Sequence, residues 1–197
     1  AEPSTTDPMK RARSFDTTGG TKHITQAESE MGYPGGFGGS PYQYKAIGVD
    51  ANGVNGVDIV VPQLQWQEQY DVPNAYVTDT YVRGLAGVTG TTNNGAFRGF
   101  EPGEVLFVGC SGSQEWDDEK GKGPWSLSYR FVASKNVTNE TVGDITGIAK
   151  RGHEYLWVRY ENTQSGFSML QKPRSVYVNQ VYKESDFGQL GIGTGYV

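Results

Sequence analysis

The 197-residue chain has one cysteine and two histidines. A single cysteine cannot close an intramolecular disulfide, and so few soft ligands cannot build a Cys/His zinc site. No metal and no cofactor are expected. Long apolar runs are lacking too: no stretch approaches the roughly 18 consecutive apolar residues of a membrane-spanning helix, and the N-terminus has no apolar signal-peptide core. A soluble chain with no export signal and no membrane partner is expected. Basic residues are in the minority, 17 Lys and Arg against 22 Asp and Glu for a net charge of -5. This argues against a general nucleic-acid-binding surface, which calls for clustered basic side chains. No Gly-rich loop ends in Lys-Ser or Lys-Thr to cradle a nucleotide phosphate. No repeat at a fixed period exists, which excludes solenoids and propellers.

What is present is glycine, 28 residues of it, and tyrosine, 12, in a length that suits one domain with a sizeable core. Residues 1–46 hold few aliphatic side chains and gather turn formers from Gly32 to Pro41. Such a segment buries too little apolar surface to offset its ordering entropy. It is predicted to be an extended N-terminal arm, ordered only where it lies on another surface. Met9, Phe15, His23 and Ile24 are its anchors, beside a basic cluster of Lys10, Arg11 and Arg13. It reads as a solvated tail or as an arm that reaches a neighbouring subunit.

Residues 47–188 read as a β-sandwich-like or barrel-like antiparallel domain, and 189–197 as a C-terminal tail. Tyr42 to Val49 and Val57 to Tyr70 flank Asn-Gly pairs and predict a hairpin, because Asn and Gly tolerate positive φ. Pro62 has no N–H to donate and marks an edge or a bulge. The one helix is expected at about 74–88, where Val77, Tyr81, Leu85 and Val88 share a face. Gly84 and Gly87 each cost it about 1 kcal/mol relative to alanine, so it needs a sheet to lie across. Gly90 to Gly99 reads as a loop. Four more strands are expected: Glu104 to Cys110, apolar enough to be buried on both faces; Trp125 to Ser134; His153 to Glu161; and Ser175 to Glu184. Gln114 to Pro124 reads as a long polar hairpin tip, and Ser165 to Lys172 as a short helical turn.

The candidate chemistry is thin. Ser111 in Gly109-Cys110-Ser111-Gly112-Ser113 lacks the Gly-x-Ser-x-Gly spacing and the following helix of a hydrolase nucleophile turn. Cys110 has only His153 as a base and no orienting partner. Asp50, Asn52, Asn55 and Asp58 offer oxygens, but out of register with a calcium loop. Glu115, Asp117, Asp118 and Glu119 form an acidic tip that repels polyanions or meets a basic neighbour. Trp116, Trp125 and Trp157 stack sugars or bases, or pack as cross-strand pairs. Asn136 and Asn139 open sequons that carry no weight without a secretory signal. No catalytic, cofactor-binding or metal residue is assigned, and no enzyme is expected.

The segments Phe15 to Thr21 with His23 to Thr25, Glu104 to Ser113, Ser128 to Ser134, Val142 to Ile148, Tyr155 to Tyr160 and Val176 to Tyr182 resemble a group of phage-related proteins of unassigned function. Length and element order are similar to tail-tube proteins of tailed phages and related injection machines. That resemblance implies a β-sandwich-like domain with one flanking helix, stacking as rings into a tube. It also implies an inner sheet lining the lumen, a hairpin contacting the next ring, and terminal arms that tie subunits together. The expectation is a self-assembling virion protein, made in the host cytoplasm, with copies of itself and other virion proteins as partners and non-specific passage of DNA through a lumen. The alternatives are a head-to-tail connector, a tail terminator or a capsid decoration protein and, from another class, a carbohydrate-binding β module.

Overall fold

The computed structural model describes residues 9–29, 44–50, 52–117, 121–165 and 168–195. The glycine-rich run from Gly32 to Pro41 and Asp118, Glu119 and Lys120 of the acidic loop lie outside the described residues. The strands in chain order are β1 (Met9–Asp16), β2 (Thr21–Ile24), β3 (Val49–Asp50), β4 (Gly53–Val54), β5 (Val57–Val60) and β6 (Leu64–Val72). After helix α1 (Asp79–Val88) come β7 (Thr92–Asn93), β8 (Val105–Asp117), β9 (Gly121–Ala133), β10 (Val137–Val142) and β11 (Ile145–Lys150). The chain ends with β12 (Tyr155–Ser165), β13 (Ser168–Asn179) and β14 (Glu184–Ser185). The fold is mainly β, with antiparallel sheets and one α-helix among the described residues.

Six strands form the main sheet in the order β1-β6-β9-β8-β7-β14, antiparallel except for the parallel pair β7 and β14. Period-two alternation puts Leu127, Tyr129, Phe131 and Ala133 of β9 on the buried face, as expected. Register with β6 aligns Trp66 with Phe131 and Tyr70 with Leu127. Trp66 stacks between Phe100 and Phe131, at 5.5 and 5.1 Å. Phe97 meets Phe131 and Phe187 at 5.1 and 5.2 Å. Helix α1 lies on this face with Tyr81, Leu85 and Val88 inward. It begins at Asp79 and not at Asn74, because Thr78 caps it: the Tyr81 N–H donates to Thr78 Oγ1 at 3.1 Å. Asn74–Tyr76 is a 3-10 turn.

Several elements differ from the expectation. β8 is buried on one face only, with Val105 and Phe107 inward and Val108 exposed. A bulge at Gly109, whose φ is +146°, then returns Cys110 to the core side. The expected single hairpin divides: β3 and β4 close a two-residue pair, β5 pairs with β2, and Pro62 falls in the break before β6. The polar tip is itself a ladder, with Trp116 opposite Lys122 and Asp117 opposite Gly121. No helical turn interrupts β13 at Leu170, Gln171 and Lys172, which pair with Thr163, Asn162 and Glu161. The hairpin β10–β11 was not expected; Gly143, at φ +60°, sits at its turn. The loop from Gly90 is buried at Thr91, Thr92 and Asn93. It stays solvated by protein: Asn93 Nδ2 donates to Gly95 O and Glu101 O, and Asn93 Oδ1 accepts from the Val105 N–H at 2.8 Å.

Candidate functional site

The groups with chemical potential do not converge. Cys110 is half-buried against the core, and burial pushes its thiol up to about 11. Its Sγ lies 3.7 Å from the Ser111 carbonyl. His153 stands elsewhere: its Nε2–H is shared between the carbonyls of Glu104 and Val132, at 3.1 and 3.2 Å. Burial, aided by the charge of Lys150, holds this imidazole below its ordinary value and therefore neutral. The cleft beside it, lined by Thr92, Gly103, Arg151, Glu154 and Tyr182, has room for one water-sized group.

The Asp50 carboxylate is consumed by its own turn. It accepts from the Asn52 and Gly53 N–H groups and from Asn55 Nδ2, and the Asn55 bond leads in holding it below its usual range. Asp58 pairs instead with His23 at 2.8 Å. No group of three or more His, Cys, Asp or Glu that could hold a metal exists among the described residues. No helix among them is long and apolar enough to cross a membrane. Asn136 is knitted into the fold through Glu104, Pro102 and Gly152.

The strongest electrostatic feature was missed by sequence reasoning. Glu68 projects from β6 into the core between Trp66 and Tyr70, fully buried. It receives Arg98 Nε and Nη2 at 3.0 and 2.8 Å, Trp66 Nε1 at 3.0 Å and the Tyr70 hydroxyl at 2.7 Å. Burial alone raises a carboxylate, but the Arg98 and Tyr70 bonds and the Arg98 charge outweigh it and hold Glu68 below its ordinary value. Arg98 sits in the left-handed region at φ +52° and covers the Phe97 ring at 4.8 Å. The signal was a carboxylate in phase with buried aromatics, which demands a buried cation elsewhere in the chain.

The remaining feature is the periphery. Phe15 of β1 pairs with Trp66, so it shares the core face, yet it is 75% exposed at the sheet edge. The ribbon β2–β5 is exposed at all four positions of β5 and three of β2. It carries Val57, Ile59 and Val60, the last 74% exposed. Trp116, 65% exposed, stands on the β8–β9 hairpin. On the β12–β13 ribbon, Trp157 and Tyr177 stack at 4.4 Å beside exposed Tyr155, and Trp157 Nε1 donates to Asn179 Oδ1. Trp125, by contrast, packs against the core. The main-sheet face away from the core is mixed: Gln65, Gln67, Gln69 and Asp71 of β6 lie opposite Val132, Arg130, Ser128 and Ser126 of β9, with Asp16 of β1 opposite Gln65 and Leu106 of β8 opposite Val132. No protein-family model, no curated protein and no solved structure matches this chain.

Proposed function

We propose that the chain is a structural virion protein of a tailed phage or phage-derived particle, and specifically a self-assembling tail-tube subunit that works without catalysis. The observation that carries the reading is where the large exposed apolar side chains stand. Five of them, Phe15, Val57, Val60, Trp116 and Trp157, stand on the main-sheet edge, on two-stranded ribbons outside that sheet and at the outer end of the β8–β9 hairpin, and none of these five lines the cleft beside His153. An isolated two-stranded ribbon is marginal in water, and an open edge strand leaves backbone groups unpaired. Both become joints when neighbouring copies cover them. The mixed face with its row of glutamines is the proposed lumen wall. Its amides and hydroxyls stand with Arg130, Asp16 and Asp71, a set with no excess of cations to bind DNA phosphates, which suits passage more than retention.

Electron microscopy of the purified full chain over a concentration series tests the proposal. Stacked rings or tubes are the expected result. Closed rings that never stack would transfer the assignment to a connector or tail terminator. A persistent monomer that binds capsids would make it a decoration protein. A persistent monomer with saturable glycan binding, lost on Trp116→Ala or Trp157→Ala, would make it a carbohydrate-binding module.

A further inference from the structure

Six consecutive carbonyls near the C-terminus, from Leu190 to Gly195, accept hydrogen bonds from the body of the fold. The Tyr81 hydroxyl donates to Leu190 O at 2.7 Å and the Tyr76 hydroxyl to Gly191 O at 3.0 Å. Arg98 Nη2 donates to Ile192 O at 3.1 Å, and Nη1 to Gly193 O and Gly195 O at 3.0 and 2.7 Å. The Arg98 backbone N–H donates to Thr194 O at 2.8 Å. Ahead of this run, Phe187 and Leu190 are buried among the core aromatics. The donors are set in place by residues other than the segment they bind. Glu68 grips Arg98 through two nitrogens, and Tyr129 donates to the Tyr81 oxygen at 2.5 Å, leaving the Tyr81 proton for Leu190 O.

Recognition through successive carbonyls reads a peptide by its backbone, here one that leaves the 3-10 turn Phe187–Leu190 through left-handed Gly191 and Gly193. The segment also meets a steric rule. A Cβ on Gly191 would lie 2.1 Å from the Tyr76 hydroxyl, and Gly191 and Gly193 have φ of +73° and +71°. The link to the rest of the chain is short: Gln180, Val181, Tyr182 and Lys183 are all exposed, and β14 is held by a two-residue parallel pair and the ion pair of Glu184 with Arg151.

We propose that Tyr76, Tyr81 and Arg98 form a peptide-binding socket for a glycine-alternating segment carrying Phe-x-x-Leu-Gly-x-Gly-x-Gly. The socket takes that segment from a second copy of this chain as well as from its own. Exchange of an identical element keeps every contact, so it links subunits at little cost. The second copy as donor rests on the self-assembly reading; the socket itself does not.

The test uses the full chain and a fluorescent synthetic peptide of residues 183–195, with binding read by anisotropy. Gly191→Ala with Gly193→Ala in the full chain weakens its hold on its own segment, because both positions have positive φ and a Cβ at 191 also meets the Tyr76 hydroxyl, and it leaves Tyr76, Tyr81 and Arg98 in the sequence. This variant, checked for folding by circular dichroism, should bind the wild-type peptide saturably and at least tenfold more tightly than the wild-type chain does. A peptide carrying Gly191→Ala and Gly193→Ala should lose at least tenfold. Absence of saturable binding to both chains overturns the socket, as does equal binding of the two peptides. Peptide capture by a chain that stays monomeric at every concentration keeps the socket and removes the assembly reading. Tubes without capture do the reverse.

Discussion

Replacing Arg98 by methionine keeps an unbranched stem over the Phe97 ring and deletes the guanidinium. Glu68, fully buried, then retains only the Trp66 indole and Tyr70 hydroxyl as close donors. Removing one partner of a buried pair typically costs about 3–5 kcal/mol, because the other charge is left uncompensated. Arg13, 3.9 Å from Glu68 Oε1, offsets part of that, whereas the carbonyls of Ile192, Gly193 and Gly195 lose their donor as well, so about 3 kcal/mol is the least loss expected. At about 2–4 °C per kcal/mol for a chain of this size, the melting temperature should fall by roughly 6–12 °C or more. Glu68→Gln in the same background removes the stranded charge, so the double variant should be more stable than the sum of the single losses by about 2 kcal/mol or more. Urea unfolding followed by tryptophan fluorescence, run as a double-mutant cycle, measures this term. A loss below about 1 kcal/mol for Arg98→Met, or additivity within about 0.5 kcal/mol, would refute the account of the core.

Three further outcomes are expected. His153 is held neutral by burial, so its contribution is complete above the unfolded value of about 6.5 and is lost as pH falls through the lowered folded value. His153→Gln should remove that part of the stability loss between pH 8 and 5, and unchanged pH dependence would contradict the assignment. Cys110, pushed up to about 11, should alkylate about tenfold more slowly at pH 8 than an exposed thiol, with the lower thiolate fraction partly offset by higher nucleophilicity. Alkylation at the rate of a free peptide thiol would show the cysteine to be open and reactive. Thr78→Ala should cost about 1 kcal/mol by removing the cap of α1, measured by thermal unfolding; no change would mean that tertiary packing alone sets the helix start.

Strand periodicity carried most of the fold. Leu127, Tyr129 and Phe131 alternate cleanly, and their face and register follow from side-chain burial alone. The inward face of α1 was equally readable because Tyr81, Leu85 and Val88 keep helical spacing. What was not readable depends on partners distant in sequence. Arg98 lies in a polar loop, and its place is explained by the buried Glu68 thirty residues earlier and by carbonyls more than ninety residues later. Leu190 precedes a glycine-rich tail with no period, yet it is fully buried because Tyr81, Tyr129 and Arg98 hold the backbone around it. The β10–β11 ribbon escaped notice because Thr138, Asn139, Glu140 and Thr141 are all exposed, which removes the apolar alternation that marks a strand.

The central claim is that exposed apolar side chains on the edge and ribbons are joints between copies of this chain. Light scattering measures it most directly, applied to the wild type and to a Val60→Asp, Trp116→Asp double variant across the same concentrations. Both substituted side chains are more than 60% exposed, so the fold and its melting temperature should change little. The account predicts a wild-type mass that grows well beyond one chain with concentration, and a variant that remains at or near the single-chain mass. A wild type that stays at one chain's mass at every concentration would contradict it.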